Sequence, residues 1–195
     1  MKTCLYVDCC LRKESRTRLL ANTFFEELKG YDVKHLVLEN EDLKPLVGKF
    51  LDDRQVLLDN GELDYPRFKY AHEFANADLV VMAAPFWDLN FPALLKIYIE
   101  NISVDGITFA STKEGLKGLC KADNLVYLTT RGGIYENDSP LETADKYLSQ
   151  FVPFYGFGKY TSIAADGMDI QGFDSKASLE EAKQKAKQLA KELSI

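Results

Sequence analysis

The chain has 195 residues, which is enough for one domain with a full core and short for two. Its 46% hydrophobic and 28% charged content is ordinary for a globular protein, and no apolar run reaches the ~18–20 residues that span a bilayer. The net charge of −6 argues against a nucleic-acid partner, because binding to phosphates requires an excess of Lys and Arg. We therefore predict one cytoplasmic domain over residues 1–195, with no membrane segment.

The four cysteines are Cys4, Cys9, Cys10 and Cys120. They form no CxxC motif, and neither histidine lies next to one of them, so we predict no metal site. The adjacent Cys9 and Cys10 leave open a strained vicinal disulfide. Reduced thiols in a cytoplasmic protein are the favoured interpretation.

The first half of the chain alternates strands and helices. Residues 2–8 are predicted as a strand, and residues 16–29 as a helix that Ser15 caps and Gly30 ends. Residues 33–38 are predicted as the second strand.

A charged, irregular region follows over residues 39–65, with a short helix near 54–58. Residues 67–76 are predicted as a helix that leads into a third strand at 77–84. The unbroken apolar run in that strand is typical of a parallel sheet covered on both faces.

The next predicted helix, at 94–102, is apolar nearly all round, so it must be buried or lie in a subunit interface. The remaining predicted elements are a strand at 124–130, a helix at 142–151, a strand at 160–165 and a helix at 179–193. Five strands that alternate with helices predict a doubly wound α/β sheet. Ligands bind such sheets beyond the carboxyl ends of the strands, which directs attention to the loops after strands one, three and four.

The loop after the first strand leads directly into a helix. Free amides at that helix start, the hydroxyls of Ser15 and Thr17, and the positive end of the helix dipole make a phosphate cradle. The loop contains neither a Walker motif nor a GxGxxG fingerprint. Taken alone, it is more simply an ordinary capped helix.

The loop after the third strand carries two adjacent large aromatics, Phe86 and Trp87, and Trp87 is the only tryptophan of the chain. They suit one wall of a slot for a flat aromatic ligand, although packing in the core or in a dimer contact is the alternative. The loop after the fourth strand contains Gly132 and Gly133, which expose backbone amides, beside the positive Arg131. An ordinary Gly-Gly turn is the alternative there. Together the three loops match the phosphate, the tricyclic ring and the pyrimidine edge of FMN.

Over essentially its whole length the chain resembles the flavodoxin-like family of FMN-dependent NADH azoreductases and NAD(P)H:quinone oxidoreductases. The resemblance is carried by SRT at 15–17, APFWDLNFP at 84–92, GITF at 106–109 and TRGGI at 130–134. It implies a flavodoxin-like five-stranded parallel sheet of order 2-1-3-4-5 with helices on both faces. It also implies non-covalent FMN and a homodimer with active sites at the interface.

The resemblance also assigns site residues. The phosphate would be held by Ser15, Arg16, Thr17 and one of Cys9 or Cys10. The ring would be lined by Pro85, Phe86, Trp87, Asp88 and Leu89, and its pyrimidine end would face Thr130, Arg131, Gly132 and Gly133. The chain departs from the family pattern at the cysteine pair, usually a serine, at Asp88, usually an asparagine, and at Tyr135, usually a histidine. Trp87 and Tyr135 would shape the substrate pocket.

The implied activity is a ping-pong hydride relay from NADH or NADPH, through FMN, to a small flat aromatic acceptor such as a quinone or an azo compound. The flavin carries the chemistry, so no catalytic side chain is required, and the amides of Gly132 and Gly133 together with Arg131 would stabilise negative charge on the reduced ring. Two alternatives stay open: a flavodoxin-type electron carrier, and a non-catalytic domain that has lost FMN. The sequence does not fix the acceptor or the choice between NADH and NADPH.

Overall fold

A five-stranded parallel sheet forms the centre of the computed structural model, which describes residues 1–136 and 139–195. With strands numbered in chain order, the sheet contains β1 (Lys2–Asp8), β2 (Tyr31–Val37), β3 (Leu79–Ala83), β6 (Asn124–Thr130) and β7 (Lys159–Ala165). Their spatial order is β2-β1-β3-β6-β7, and all neighbouring pairs are parallel. Because β4 and β5 lie outside this sheet, the order is the predicted 2-1-3-4-5.

Helices cover both faces of the sheet. They are α1 (Arg16–Glu27), α2 (Gly48–Asp59), α3 (Lys69–Asn76), α4 (Ala93–Ile102), α5 (Ala144–Ser149) and α6 (Ser175–Leu193). One core lies between the sheet and α1 and α6, and the other lies between the sheet and α3, α4 and α5. Successive buried residues of β1, β3 and β6 enter opposite cores, as the two-residue period of a strand requires.

The start of α1 is the predicted one. Ser15 has an extended backbone, and its hydroxyl accepts a hydrogen bond from the amide of Arg18. The helix ends at Glu27, two residues before the predicted end, with Leu28 as its C-cap, and Gly30 lies further along with a φ of +82°. The predicted start of this helix is therefore confirmed, whereas its end lies earlier than Gly30 indicates.

The largest differences from the sequence prediction are in α2, in α6 and in a hairpin of two further strands. Helix α2 is longer than the predicted 54–58. None of its residues is buried, so its sequence lacks the apolar spacing that would indicate its full length. A hairpin of β4 (Phe109–Thr112) and β5 (Gly115–Gly118) was not predicted at all. Helix α6 begins earlier than predicted because Asp174 caps it through the amide of Ala177.

Helix α4 buries one face, made by Leu95, Tyr98, Ile99 and Ile102, against the core. Leu94 and Ile97 on its remaining surface are only half-buried. Among the helices that the structure describes, α4 included, none is both long enough and apolar enough to cross a membrane.

Candidate active site

A cleft opens at the carboxyl edge of the sheet. Its inner part is lined by Arg12, Glu14, Ser15, Arg16, Thr17, Pro85, Phe86, Trp87, Thr130, Gly132, Met168 and Asp169. Its outer part is lined by Arg12, Phe86, Trp87, Asp88, Leu89, Gly132, Gly133, Tyr135 and Asp169. The two parts share Arg12, Phe86, Trp87, Gly132 and Asp169, so they form one continuous cleft.

The cleft brings together most of the residues that the sequence singles out. They are Ser15, Arg16, Thr17, Pro85, Phe86, Trp87, Asp88, Leu89, Thr130, Gly132, Gly133 and Tyr135. The three loops that supply them are far apart in the chain, and they meet because parallel strands end at a single edge. Cys9, Cys10 and Arg131 are the predicted site residues that do not line it.

The two cysteines lie in the core rather than in the cleft. Cys9 is fully buried, and its amide donates to the Ala83 carbonyl at 2.8 Å, so the backbone keeps its strand alignment past Asp8. Burial raises the pKa of the Cys9 thiol to about 12. The Cys10 sulfur lies 3.7 Å from the carbonyl of Ala83, in the opposite core. Neither thiol therefore lines the cleft, and a contact between one of them and a phosphate stays a prediction.

The guanidinium of Arg131 is buried beside the cleft and is not part of its lining. It is 5% exposed and donates to both carboxylate oxygens of Asp166, at 2.5 Å and 2.9 Å. Burial by itself would lower the pKa of Arg131, but the hydrogen bonds and charge of Asp166 raise it. A buried guanidinium needs a paired anion, and Asp166 already supplies that anion. Arg131 is therefore already paired, and a contact between its charge and a ligand stays a prediction.

Hydrogen bonds tie the three predicted loops to one another. The hydroxyls of Thr17 and Thr130 lie 2.7 Å apart in a fully buried contact between the first and third loops. The amide of Phe86 donates to the carbonyl of Thr130 at 3.1 Å, which joins the second loop to the third. Movement of one loop relative to the others would break buried hydrogen bonds, so the cleft is preorganised.

A fourth loop, residues 166–173 after β7, closes the inner part of the cleft. Arg16 donates to the Met168 carbonyl at 2.6 Å and to the Asp169 carboxylate at 2.7 Å. The amide of Asp169 donates to the carbonyl of Gly132, and its carboxylate lies only 2.7 Å from where a Cβ on Gly132 would stand. Sequence reasoning missed this loop, although its place after the fifth strand puts it at the same edge.

Backbone amides in the cleft are available to a ligand. Within residues 1–136 and 139–195, the N–H groups of Arg16, Thr17, Gly132 and Gly133 donate no hydrogen bond to the protein. Two of them lie at the positive end of α1, where an anion is favoured. The other two lie in the glycine loop, where Gly132 lines both parts of the cleft and Gly133 lines the outer part.

The aromatic loop ends in a tight turn that two non-glycine residues hold in a strained conformation. The backbones of Trp87 and Asn90 exchange hydrogen bonds at 2.6 Å and 2.9 Å, and Asp88 and Leu89 between them have φ of +50° and +66°. Thr143 anchors the turn through the Leu89 carbonyl and the Asn90 side chain. Such strain persists where the surrounding structure requires it, as it does at functional sites.

The two aromatic residues have different environments. Phe86 is 7% exposed, and its ring packs 4.9 Å from that of Tyr135. Trp87 is half-buried and presents part of its ring to both parts of the cleft. Packing in the core, the alternative given for these two aromatics, therefore applies to Phe86, whereas Trp87 forms a wall of the cleft.

The carboxylate of Asp8 organises the first loop from beneath. It is 1% exposed and accepts hydrogen bonds from the Cys10 amide at 2.8 Å, the His35 ring at 3.0 Å and Arg18 Nε at 3.2 Å. Arg18 also donates to the carbonyls of Cys10 and Arg12. Burial alone would raise the pKa of Asp8, but these hydrogen bonds and the charge of Arg18 lower it below its ordinary value.

Known proteins resemble this chain over its full length. A family model described as flavodoxin-like fold matches residues 2–190. The FMN-dependent NADH:quinone oxidoreductase 2 of Clostridium perfringens is 37% identical over 98% of this chain and 99% of its own. The FMN-dependent NADH:quinone oxidoreductase of Clostridium beijerinckii is 38% identical over the same shares.

Solved structures agree with this result. An azoreductase from Bacillus anthracis has a TM-score of 0.86 at 25% identity, over 99% of this chain and 100% of its own. An FMN-dependent NADH-azoreductase from Bacillus anthracis, solved in complex with FMN, has a TM-score of 0.86 at 22% identity over 100% of both chains, and it supports the fold alone.

The Asp8→Asn variant should lose about 2 kcal/mol of unfolding free energy at neutral pH, because charge-assisted hydrogen bonds to a buried group are lost. Since the folded pKa of Asp8 is lowered, its contribution is fully present above the unfolded pKa of about 3.9 and disappears as pH falls through the folded pKa. Urea titrations between pH 7 and pH 3 should therefore show the gap from wild type narrowing below about pH 5.

The exposed Asp32→Asn variant is the matched control and should leave stability unchanged at every pH. A gap for Asp8→Asn that stays constant down to pH 3 would show that the Asp8 charge does not organise the loop.

Proposed function

The chain belongs to the family with the flavodoxin-like fold, as its sequence motifs predict, and we propose from this premise that it is an FMN-dependent NADH:quinone oxidoreductase. The proposal covers azo compounds as further acceptors, in agreement with the names of its structural neighbours. The observation that carries it is a single cleft that joins the free amides at the start of α1, the aromatic wall and the free amides of the glycine loop.

The residues present fit FMN. The amides of Arg16 and Thr17 and the hydroxyl of Ser15 would hold the phosphate at the start of α1. Trp87 and Pro85 would line the tricyclic ring. Asp169 neutralises part of the positive charge of Arg16, so that most of the phosphate binding rests on the helix amides.

The amides of Gly132 and Gly133 would face the pyrimidine end of the ring. Of the two groups that the sequence indicates for stabilising the reduced ring, these amides carry the larger part, because the Arg131 guanidinium is paired with Asp166. Fixed N–H dipoles aimed at a ligand oxygen stabilise negative charge that develops on reduction, without having to reorient. The contact between Asp169 and Gly132 explains why a side chain at position 132 would disturb this arrangement.

When bound, FMN supplies the two-electron chemistry by accepting a hydride from the nicotinamide and passing it to the acceptor. The protein contributes position: Trp87 and Tyr135 line the outer part of the cleft, where a flat co-substrate would stack. Because that outer part is one space, the nicotinamide and the acceptor would use it in turn, which gives ping-pong kinetics. NADPH as a second donor is part of the proposal.

We place the enzyme in the cytoplasm as one domain over residues 1–195, and its four free cysteines support a reducing compartment. We also propose a homodimer, supported by the half-buried Leu94 and Ile97 on α4 and by the exposed Leu89 and Ile134 beside the cleft.

Light scattering after gel filtration should give twice the mass of one chain, and the mass should not fall on tenfold dilution, because a permanent interface buries these apolar side chains. A mass equal to one chain at both concentrations would contradict the homodimer.

Purified protein reconstituted with FMN should be yellow, and anaerobic NADH should bleach its visible band within one turnover. Added menadione should restore the band, and steady-state rates should give parallel double-reciprocal lines, as ping-pong kinetics require. Riboflavin, which lacks the phosphate, should bind at least about tenfold more weakly if the helix amides hold that group.

Each alternative function gives a different result. Reconstituted protein that binds FMN but is not reduced by NADH would be an electron carrier. Protein that stays colourless in excess FMN would be a non-catalytic domain, and either result would reject the proposed enzyme.

A further inference from the structure

Arg12 places an unpaired cation over the aromatic wall. Its guanidinium carbon lies 5.3 Å from the centre of the Trp87 ring, a cation–π contact between the first and second loops. In the part of the chain that the structure describes, its side chain makes no ion pair or hydrogen bond. It lines both the inner and the outer part of the cleft.

The other charged side chains that line the outer part of the cleft are the carboxylates of Asp88 and Asp169. Asp169 is neutralised by Arg16 at 2.7 Å. Asp88 lies exposed at the tip of the strained turn. Among the residues that line the outer part, Arg12 is therefore the one positive side chain. Without it, the outer part of the cleft would have no positive side chain in its lining.

We propose that Arg12 is a specificity-determining residue that selects flat aromatic acceptors bearing an anionic group, a carboxylate or a sulfonate. A ring that enters the slot beside Trp87 meets the guanidinium at the edge of that slot. The fork of N–H donors in a guanidinium matches two oxygens of one anionic group. This inference rests on the proposed function, because it names the acceptor class of the same cleft.

Helix amides and Arg12 would serve different anions. The amides of Arg16 and Thr17 lie in the inner cleft and suit the cofactor phosphate, whereas Arg12 extends to the outer cleft, where Trp87 and Tyr135 lie. The Arg12 guanidinium is exposed and contacts only the Trp87 ring. It can therefore turn towards a ligand without breaking a buried hydrogen bond.

The test compares two ligands that differ only in charge, an anthraquinone carboxylate and the carboxamide of the same ring. Each is titrated into oxidised, FMN-reconstituted protein without an electron donor, so binding is read without turnover. Trp87 is the only tryptophan, so its emission reports directly on the cleft. The same two ligands then serve as acceptors for kcat/KM with NADH.

Arg12→Gln should weaken binding of the carboxylate about fivefold and change binding of the carboxamide less than about twofold. The reason is that only the carboxylate loses an exposed ion pair with the guanidinium. The ratio of kcat/KM for the two acceptors should shift by the same factor. Arg12→Lys should retain part of the preference. Lys13→Gln, on the same loop but outside the cleft, should change neither ligand.

Salt gives a second readout, because raising NaCl to about 0.5 M should reduce the wild-type preference for the carboxylate and leave binding of the carboxamide unaffected.

Equal weakening of the binding of both ligands by Arg12→Gln would overturn the proposal. So would a loss of FMN affinity with an unchanged ligand ratio, which would make Arg12 a contact of the cofactor phosphate. A wild-type chain that binds no FMN would overturn the proposed function and this inference together.

Discussion

The buried carboxylate of Asp8 is the interaction on which the candidate site depends. It stands at the last position of β1, where the backbone must leave the sheet and turn into α1. The hydrogen bonds from the Cys10 amide and from Arg18 fix how that backbone turns. A charge in that position is stable only because it is fully partnered, and its partners belong to the loop that leads to the free amides of α1.

The remaining loops are fixed relative to that first one. Thr17 and Thr130 share a buried hydrogen bond, and Arg16 reaches across to Met168 and Asp169. The site is thus built from four segments that are distant in sequence and joined by specific contacts at one edge of the sheet. Preorganisation of this kind lowers the cost of binding, since few groups have to be ordered when the ligand arrives.

The sequence predicts the parts of this arrangement that depend on local patterns. The bounds of β1 and β6 follow from apolar runs, and Ser15 follows from the preference for a hydroxyl at a helix start. Helix α2 has no buried residue, so its apolar spacing gave no signal of its length. The flavodoxin-like order of the strands came from the motif resemblance, because alternation alone leaves several windings open.

The predicted site residues that lie outside the cleft lining have partners that are distant in the chain. A positive residue beside two glycines is typical of a ligand contact, but Arg131 pairs with Asp166, which lies 35 residues away in the chain. Only the folded backbone brings the two together. Cys9 and Cys10 were judged as part of a loop, whereas the strand alignment of β1 continues through Cys9 and directs both thiols into the cores. No sequence pattern marks Arg12, because its significance depends on the position of the Trp87 ring.

Hydrogen exchange with and without FMN tests the central claim, that all four loops contact one ligand, most directly. We expect FMN to slow amide exchange in residues 15–18, 85–90, 131–135 and 166–170 together. The separate groove that Phe50, Arg67 and Tyr70 help to line should show no change. Protection confined to one of the four segments, or protection in that separate groove instead, would contradict the account.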